Sequence, residues 1–173
     1  MRKIIRDGVI VDDSWQHVDD DQALPEGDII ISHDRWLTER AALAEHPGRV
    51  GVCINGDTAL DELVPALDDL PLIALDFPAF KDGRCYSHAR LLRSRHGYRG
   101  ELRAVGDVLR DQLAYMARVG INAFEVREDR SLEDALKAFE EFTGYYQLNP
   151  YGLTPRELRR QQSERPVARA VAS

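Results

Sequence analysis

Asp76, Arg84, Arg103 and Glu125 are the residues of this chain whose types and spacing could do chemistry. Two carboxylates and two guanidiniums would pair an acid/base group with cations that orient an oxyanion. Asp76 closes an apolar run, Leu72 to Phe77, and a dense polar loop follows it, from Pro78 to Ser87. Lys81 and Arg84 offer two cations there, Asp82 a carboxylate, and Gly83 close backbone approach. Ser87 stands at the expected start of a helix, so its hydroxyl and the adjoining N–H groups would suit a small oxyanion or phosphate. Gly106 and Asp107 follow Arg103 and would meet the same rim. The competing reading makes Lys81–Asp82 and Arg84–Asp107 ordinary loop ion pairs, with Ser87 and Asp107 as helix caps.

Other chemistries find less support. Asp76, Glu101 and Glu125, with Asn55 adjacent, could face a divalent cation, but nothing in their spacing fixes ligand geometry, and no metal is assigned. Glu101 and Arg103 share a strand face and could simply pair. Cys85 stands beside Arg84 just before a helix, a setting that favours a thiolate, while Cys53 reads as a buried strand residue. The two cysteines are too few for a disulfide scaffold or a Cys-ligated cluster. The histidines show no ligand spacing. G-x-G-x-x-G, P-loop and C-x-x-C motifs are all missing, so the cofactor is unknown.

These side chains need elements to position them. Ile4, Ile5, Val9, Ile10 and Val11 flank Asp7-Gly8, a hairpin signal within residues 1–20. Strands are expected at 28–32, 50–54, 72–77, 101–105 and 123–126. Helices are expected at 34–44, 58–67, 87–96, 107–119 and 131–143, and a short last one is opened by Thr154-Pro155-Arg156-Glu157. Repeated strand-then-helix units imply a parallel sheet with right-handed crossovers. Strand alternation then separates two faces. Val52, Ile54, Ile73, Leu75, Phe77, Leu102, Ala104 and Phe124 form an apolar set; Gly51, Cys53, Ala74, Asp76, Arg103 and Glu125 fall on the other. A doubly wound three-layer sandwich should be apolar on both faces. The favoured reading is therefore an α/β fold of parallel βα repeats, half of a TIM-like barrel, with an N-terminal β-hairpin. Residues 1–149 would form a single domain, with the repeats over 28–145, followed by a basic helix and tail at 150–173.

The chain has 173 residues, enough for one sizeable core. Its formal charge of −7 argues against nucleic acid as a partner, since phosphate neutralisation needs a basic face. Residues 151–173 alone carry +3. No run approaches the ~18 apolar residues of a membrane span, and the start MRKIIRDGVIVDD lacks the apolar stretch of a signal peptide. A cytoplasmic protein is expected, with no membrane partner. Open sheet edges would also permit a homo-oligomer.

The run DFPAFKDGRCYSHARLLRSRHGYRGELRAVGDVLRDQL, beginning at Asp76, resembles the bacterial family catalogued as domain of unknown function 934. The pattern DFPxFxDGRxYSxARLLR falls on Asp76 to Arg93, and GELRAxGDVLxDQ on Gly100 to Gln112. Cys85 occupies a variable position of that pattern. The family is described as an oxidoreductase of sulfite reduction and is encoded beside an assimilatory sulfite reductase. The resemblance thus implies work in sulfate assimilation and cysteine biosynthesis, with sulfite reductase as partner, but it names no catalytic residue. The expected function is an accessory or redox-partner protein of assimilatory sulfite reduction with an anion-binding or partner-docking rim. The alternatives are a stand-alone oxidoreductase or other barrel-mouth enzyme acting on a small anionic substrate, and a structural subunit of a larger α/β assembly.

Overall fold

A computed structural model describes residues 2–78 and 83–141. Lys81, Asp82 and the expected C-terminal helix and tail lie outside them. The hairpin forms as its turn residues require: β1 (Arg2–Arg6) and β2 (Val9–Asp13) are joined by Asp7 (φ 51°) and Gly8 (φ 79°). Two successive left-handed residues match the right-handed twist of the flanking strands, which is why Asp-Gly is favoured there.

Six strands then run parallel in sequence order: β3 (Gln16–His17), β4 (Ile29–Ser32), β5 (Val50–Ile54), β6 (Leu72–Phe77), β7 (Glu101–Gly106) and β8 (Ala123–Phe124). The N-terminal hairpin adds to the far end, with β1 antiparallel to β8, so the sheet order is β2-β1-β8-β7-β6-β5-β4-β3. The sheet curls into a half-barrel with its helices on the convex side. The apolar alternation set faces those helices. Val52, Ile54, Ile73, Leu75, Phe77, Leu102, Ala104 and Phe124 share one core with Ala89 and Leu92 of α3 (Arg84–Ser94), Met116 of α4 (Leu113–Arg118) and Ala135 of α5 (Leu132–Glu141). Full burial of each Val, Ile, Leu, Met or Phe side chain among them contributes roughly 1.5–3 kcal/mol.

The strand expectations hold, apart from β3, which adds a two-residue edge, and β8, which is shorter than expected. The helices differ more. The expected helix 34–44 is two, α1 (His33–Thr38) and α2 (Arg40–Ala44), and Ser32 rather than Asp34 caps the first by accepting from Arg35 N at 3.1 Å. The expected helix 58–67 is replaced by two 3₁₀ turns, Leu60–Glu62 and Val64–Ala66. Pro65 explains this, since it lacks an N–H and its ring obstructs the preceding helical carbonyl. Helix α3 begins at Arg84, so Ser87 lies one turn inside it and is not its cap. The expected helix from Asp107 starts late, as a 3₁₀ turn at Arg110–Gln112 leading into α4. Asp107 N instead donates to Phe77 O at 2.8 Å, so Asp107 is no helix cap. Ser131 caps α5 as expected, accepting from Asp134 N at 3.2 Å.

Candidate functional site

Two groups of polar residues occupy the concave side and the rim. The inner group centres on Arg103, which β7 turns away from the helices and whose side chain is fully buried. Its Nη1 donates to Asp13 Oδ2 and to Glu125 Oε1, each at 3.0 Å, and its Nε donates to Glu101 Oε1 at 2.8 Å. Arg2 of β1 adds a second cation, 2.7 Å from Asp13 and 2.9 Å from Glu125. His17 closes the group, with Nε2 lying 2.9 and 3.0 Å from the two Glu125 oxygens.

The electrostatics follow from this crowding. Burial opposes the Glu125 charge, but hydrogen bonds and charge from His17, Arg2 and Arg103 outweigh it and hold its carboxyl below the usual glutamate range. Burial likewise opposes the Arg103 charge, yet Glu101, Asp13 and Glu125 raise its pKa further. Cys53 shares the concave side, packed with Trp15, Ile30, Leu72, Ala74 and Val105. Its thiol is pushed up to about 12 by burial and then by Asp76 and Glu125, which keeps it protonated and a poor nucleophile.

The outer group lies at the carboxyl ends of the strands. Arg84, the first residue of α3, pairs with Asp57, and its side chain lies against Gly56, where any Cβ would collide with it. His88, one turn on, places Nε2 3.2 Å from Gly56 O. Asn55 shapes this loop by accepting from Asp57 N at 2.9 Å. Gly83 precedes the helix without a side-chain cap, and Ser87, one turn into it, is exposed. Asp76 is half-buried near the end of β6, against Gly106: a Cβ there would come within 2.7 Å of both Asp76 Oδ1 and Phe77 O. Gly106 also adopts φ 88°, so glycine is required twice over. Asp107 accepts from Arg127 Nη1 at 3.0 Å rather than pairing with Arg84.

The structure thus brings Arg103 and Glu125 together, with Asp76 near the same interior, and places Arg84 in a different group with Asp57. Glu101 and Glu125 are engaged with arginines, and Glu101 does pair with Arg103. Sequence reasoning missed Asp13, Arg2, His17, Asp57 and His88. The alternation Arg2-Ile4-Arg6 in β1 was a usable signal, since it turns two cations toward the side that carries Glu101 and Glu125. Nothing local marks His17, whose strand is two residues long.

The match to a known family begins at Gly51 in β5 and runs to Arg156, and the family is described as a bacterial protein of unknown function, DUF934. The chain belongs to the DUF934 family. No curated protein matches it. The family segment supplies Asp76, Glu101, Arg103 and Glu125, while Arg2, Asp13 and His17 of the inner group precede it. Not every residue of the DUF934 pattern faces a rim. Arg93, the last arginine of ARLLR, is buried and donates to Gly120 O at 2.9 Å, Tyr98 O at 2.7 Å and Gly100 O at 2.8 Å. It is a strut that holds the turns entering β7 and β8. No helix among the described residues is long and apolar enough to cross a membrane.

Proposed function

We propose that this DUF934 protein is a cytoplasmic accessory protein of assimilatory sulfite reduction, docking on the reductase through the rim around Arg84. The pathway rests on the family resemblance carried by DFPAFKDGR and GELRAVGD. The observation that favours docking over catalysis inside the half-barrel is the state of Arg103. An interior arginine that would orient a substrate anion is already surrounded by Asp13, Glu101 and Glu125, so an incoming anion would have to displace three carboxylates. The rim differs, because Arg84 keeps half of its side chain in solvent (54% exposed) and Arg127 keeps 46%. Both are held by exposed ion pairs, to Asp57 and to Asp107 and Asp129, which cost little to exchange for carboxylates of a partner surface.

Affinity capture with the tagged chain from sulfate-grown cells tests this reading. Sulfite reductase should be retained by the unaltered protein and lost with Arg84→Ala. Retention unchanged by Arg84→Ala would move the docking surface elsewhere, and absence of the reductase from the wild-type capture would sink the accessory role.

A further inference from the structure

The outer layer is thinnest after β5. The units that follow β6 and β8 carry α3 and α5, but the chain around Pro65 makes only two 3₁₀ turns. Between these turns and α1–α2 a groove of about 560 Å³ remains. It opens at the amino ends of β5 and β6, where Val50 and Leu70 line it, so it lies at the opposite end of the strands from Arg84. Its size falls in the range of small-molecule sites.

The lining sorts into an apolar floor and two unmatched charges. Leu43, Val50 and Leu70 form apolar surface, and Trp36 forms a wall. His46 and Arg49 also line the groove, but both are engaged: His46 Nε2 lies 2.7 Å from Gly27 O, and Arg49 donates to Asp28 Oδ2 at 2.6 Å. Arg40 is different. Its guanidinium stacks 4.1 Å from the Trp36 ring centroid, and among the described residues no carboxylate pairs with it. Asp69 lines the same groove, and among the described residues no cation pairs with it. Stacking on Trp36 holds the Arg40 fork in place before any ligand arrives, which lowers the ordering cost of binding a carboxylate.

We propose that this groove binds a small zwitterion with an apolar body, of amino-acid to dipeptide size. Its carboxylate would sit on Arg40, its ammonium near Asp69 and its side chains on Leu43, Val50 and Leu70. A dianion would meet Asp69 unfavourably, and a simple amine would meet Arg40. The site is separate from the rim and does not depend on the sulfite-reduction reading.

The probe is leucyl-leucine, titrated into the full chain and followed by calorimetry and by backbone amide shifts. Its N-acetyl form lacks the ammonium, and its C-terminal amide lacks the carboxylate. Leucyl-leucine should shift the amides of Gly48, Val50 and Leu70, and each blocked form should bind roughly fivefold more weakly, the scale of one exposed charge contact. Arg40→Met should weaken the dipeptide and the N-acetyl form but not the amide. Asp69→Asn should weaken the dipeptide and the amide but not the N-acetyl form. Equal binding of all three probes, shifts confined to another surface, or no binding at millimolar concentration would overturn the proposal.

Discussion

His17 and Glu125 meet across the hollow of the sheet, with Nε2 of one 2.9 and 3.0 Å from the two carboxylate oxygens of the other. His17 lies in the edge strand β3, and Glu125 directly follows β8, five strands away in the sheet order. At the usual inter-strand spacing of ~4.8 Å a flat sheet would separate those strands by roughly 24 Å. The contact therefore requires strong curvature, and Arg103–Asp13, at 3.0 Å across three strand steps, requires the same. Charged side chains on the concave face occupy the space that the missing half of a barrel would enclose.

Arg103→Met should destabilise the fold by about 3 kcal/mol, because it removes the fully buried cation shared by Asp13, Glu101 and Glu125, which the partly exposed Arg2 replaces only in part. Urea unfolding followed by circular dichroism gives the value. An unchanged midpoint would mean that the inner group contributes nothing net.

Acid should unfold the protein partly through Glu125. Its folded carboxyl lies below the ordinary glutamate value of 4.5, so the stability it adds is fully present above that value. It is lost as pH falls through the lower folded value. Glu125→Gln should flatten the stability profile below about pH 5, and a curve parallel to wild type there would contradict the assignment.

Cys53 titrates in the opposite sense. With its thiol raised to about 12, the folded state favours the neutral form. The resulting contribution is complete below the ordinary thiol value and disappears as pH rises toward 12. Iodoacetamide at pH 8 should leave Cys53 unmodified in the native protein and alkylate it in urea. Rapid native labelling, read by mass spectrometry, would place the thiol in a different environment.

Gly106→Ala should cost about 2 kcal/mol or more, since the new Cβ would meet the Phe77 carbonyl and the Asp76 carboxylate at a positive φ. Differential scanning calorimetry should show a clear fall in Tm. A shift within error would mean that the β6–β7 rim relaxes freely.

Arg84→Ala should change stability by less than about 0.5 kcal/mol, as surface substitutions do, while impairing growth on sulfate. A variant that loses both stability and growth would be reporting on folding rather than on docking.

Much of this architecture was legible in the chain because the two strand faces differ in chemistry. Val52, Ile73, Leu75 and Leu102 point one way, Cys53, Ala74 and Arg103 the other, and a polar inner face implies a curl rather than a three-layer sandwich. Helix ends were harder: a tertiary anchor overrides a local cap where Asp107 N bonds to Phe77 O, whereas Pro65, a local signal present in the sequence, breaks the helix that Thr58 to Leu67 otherwise suggests. The inner group was only half readable. Glu101, Arg103 and Glu125 announce themselves by strand position, whereas Asp13 and His17 join them only through curvature, which no local pattern of residues encodes.

The pairing of β1 with β8 also sets an order of events during synthesis. Ile5 finds Phe124 only after more than a hundred further residues have been made, a delay on the order of ten seconds at cellular elongation rates. Until then β1 and β2 have no sheet to join, and the buried partners of Arg103 are not yet assembled. The hairpin is made well before β8 and is among the last elements to dock. The nascent chain therefore carries an exposed β1 edge that must be kept from pairing elsewhere until β8 arrives.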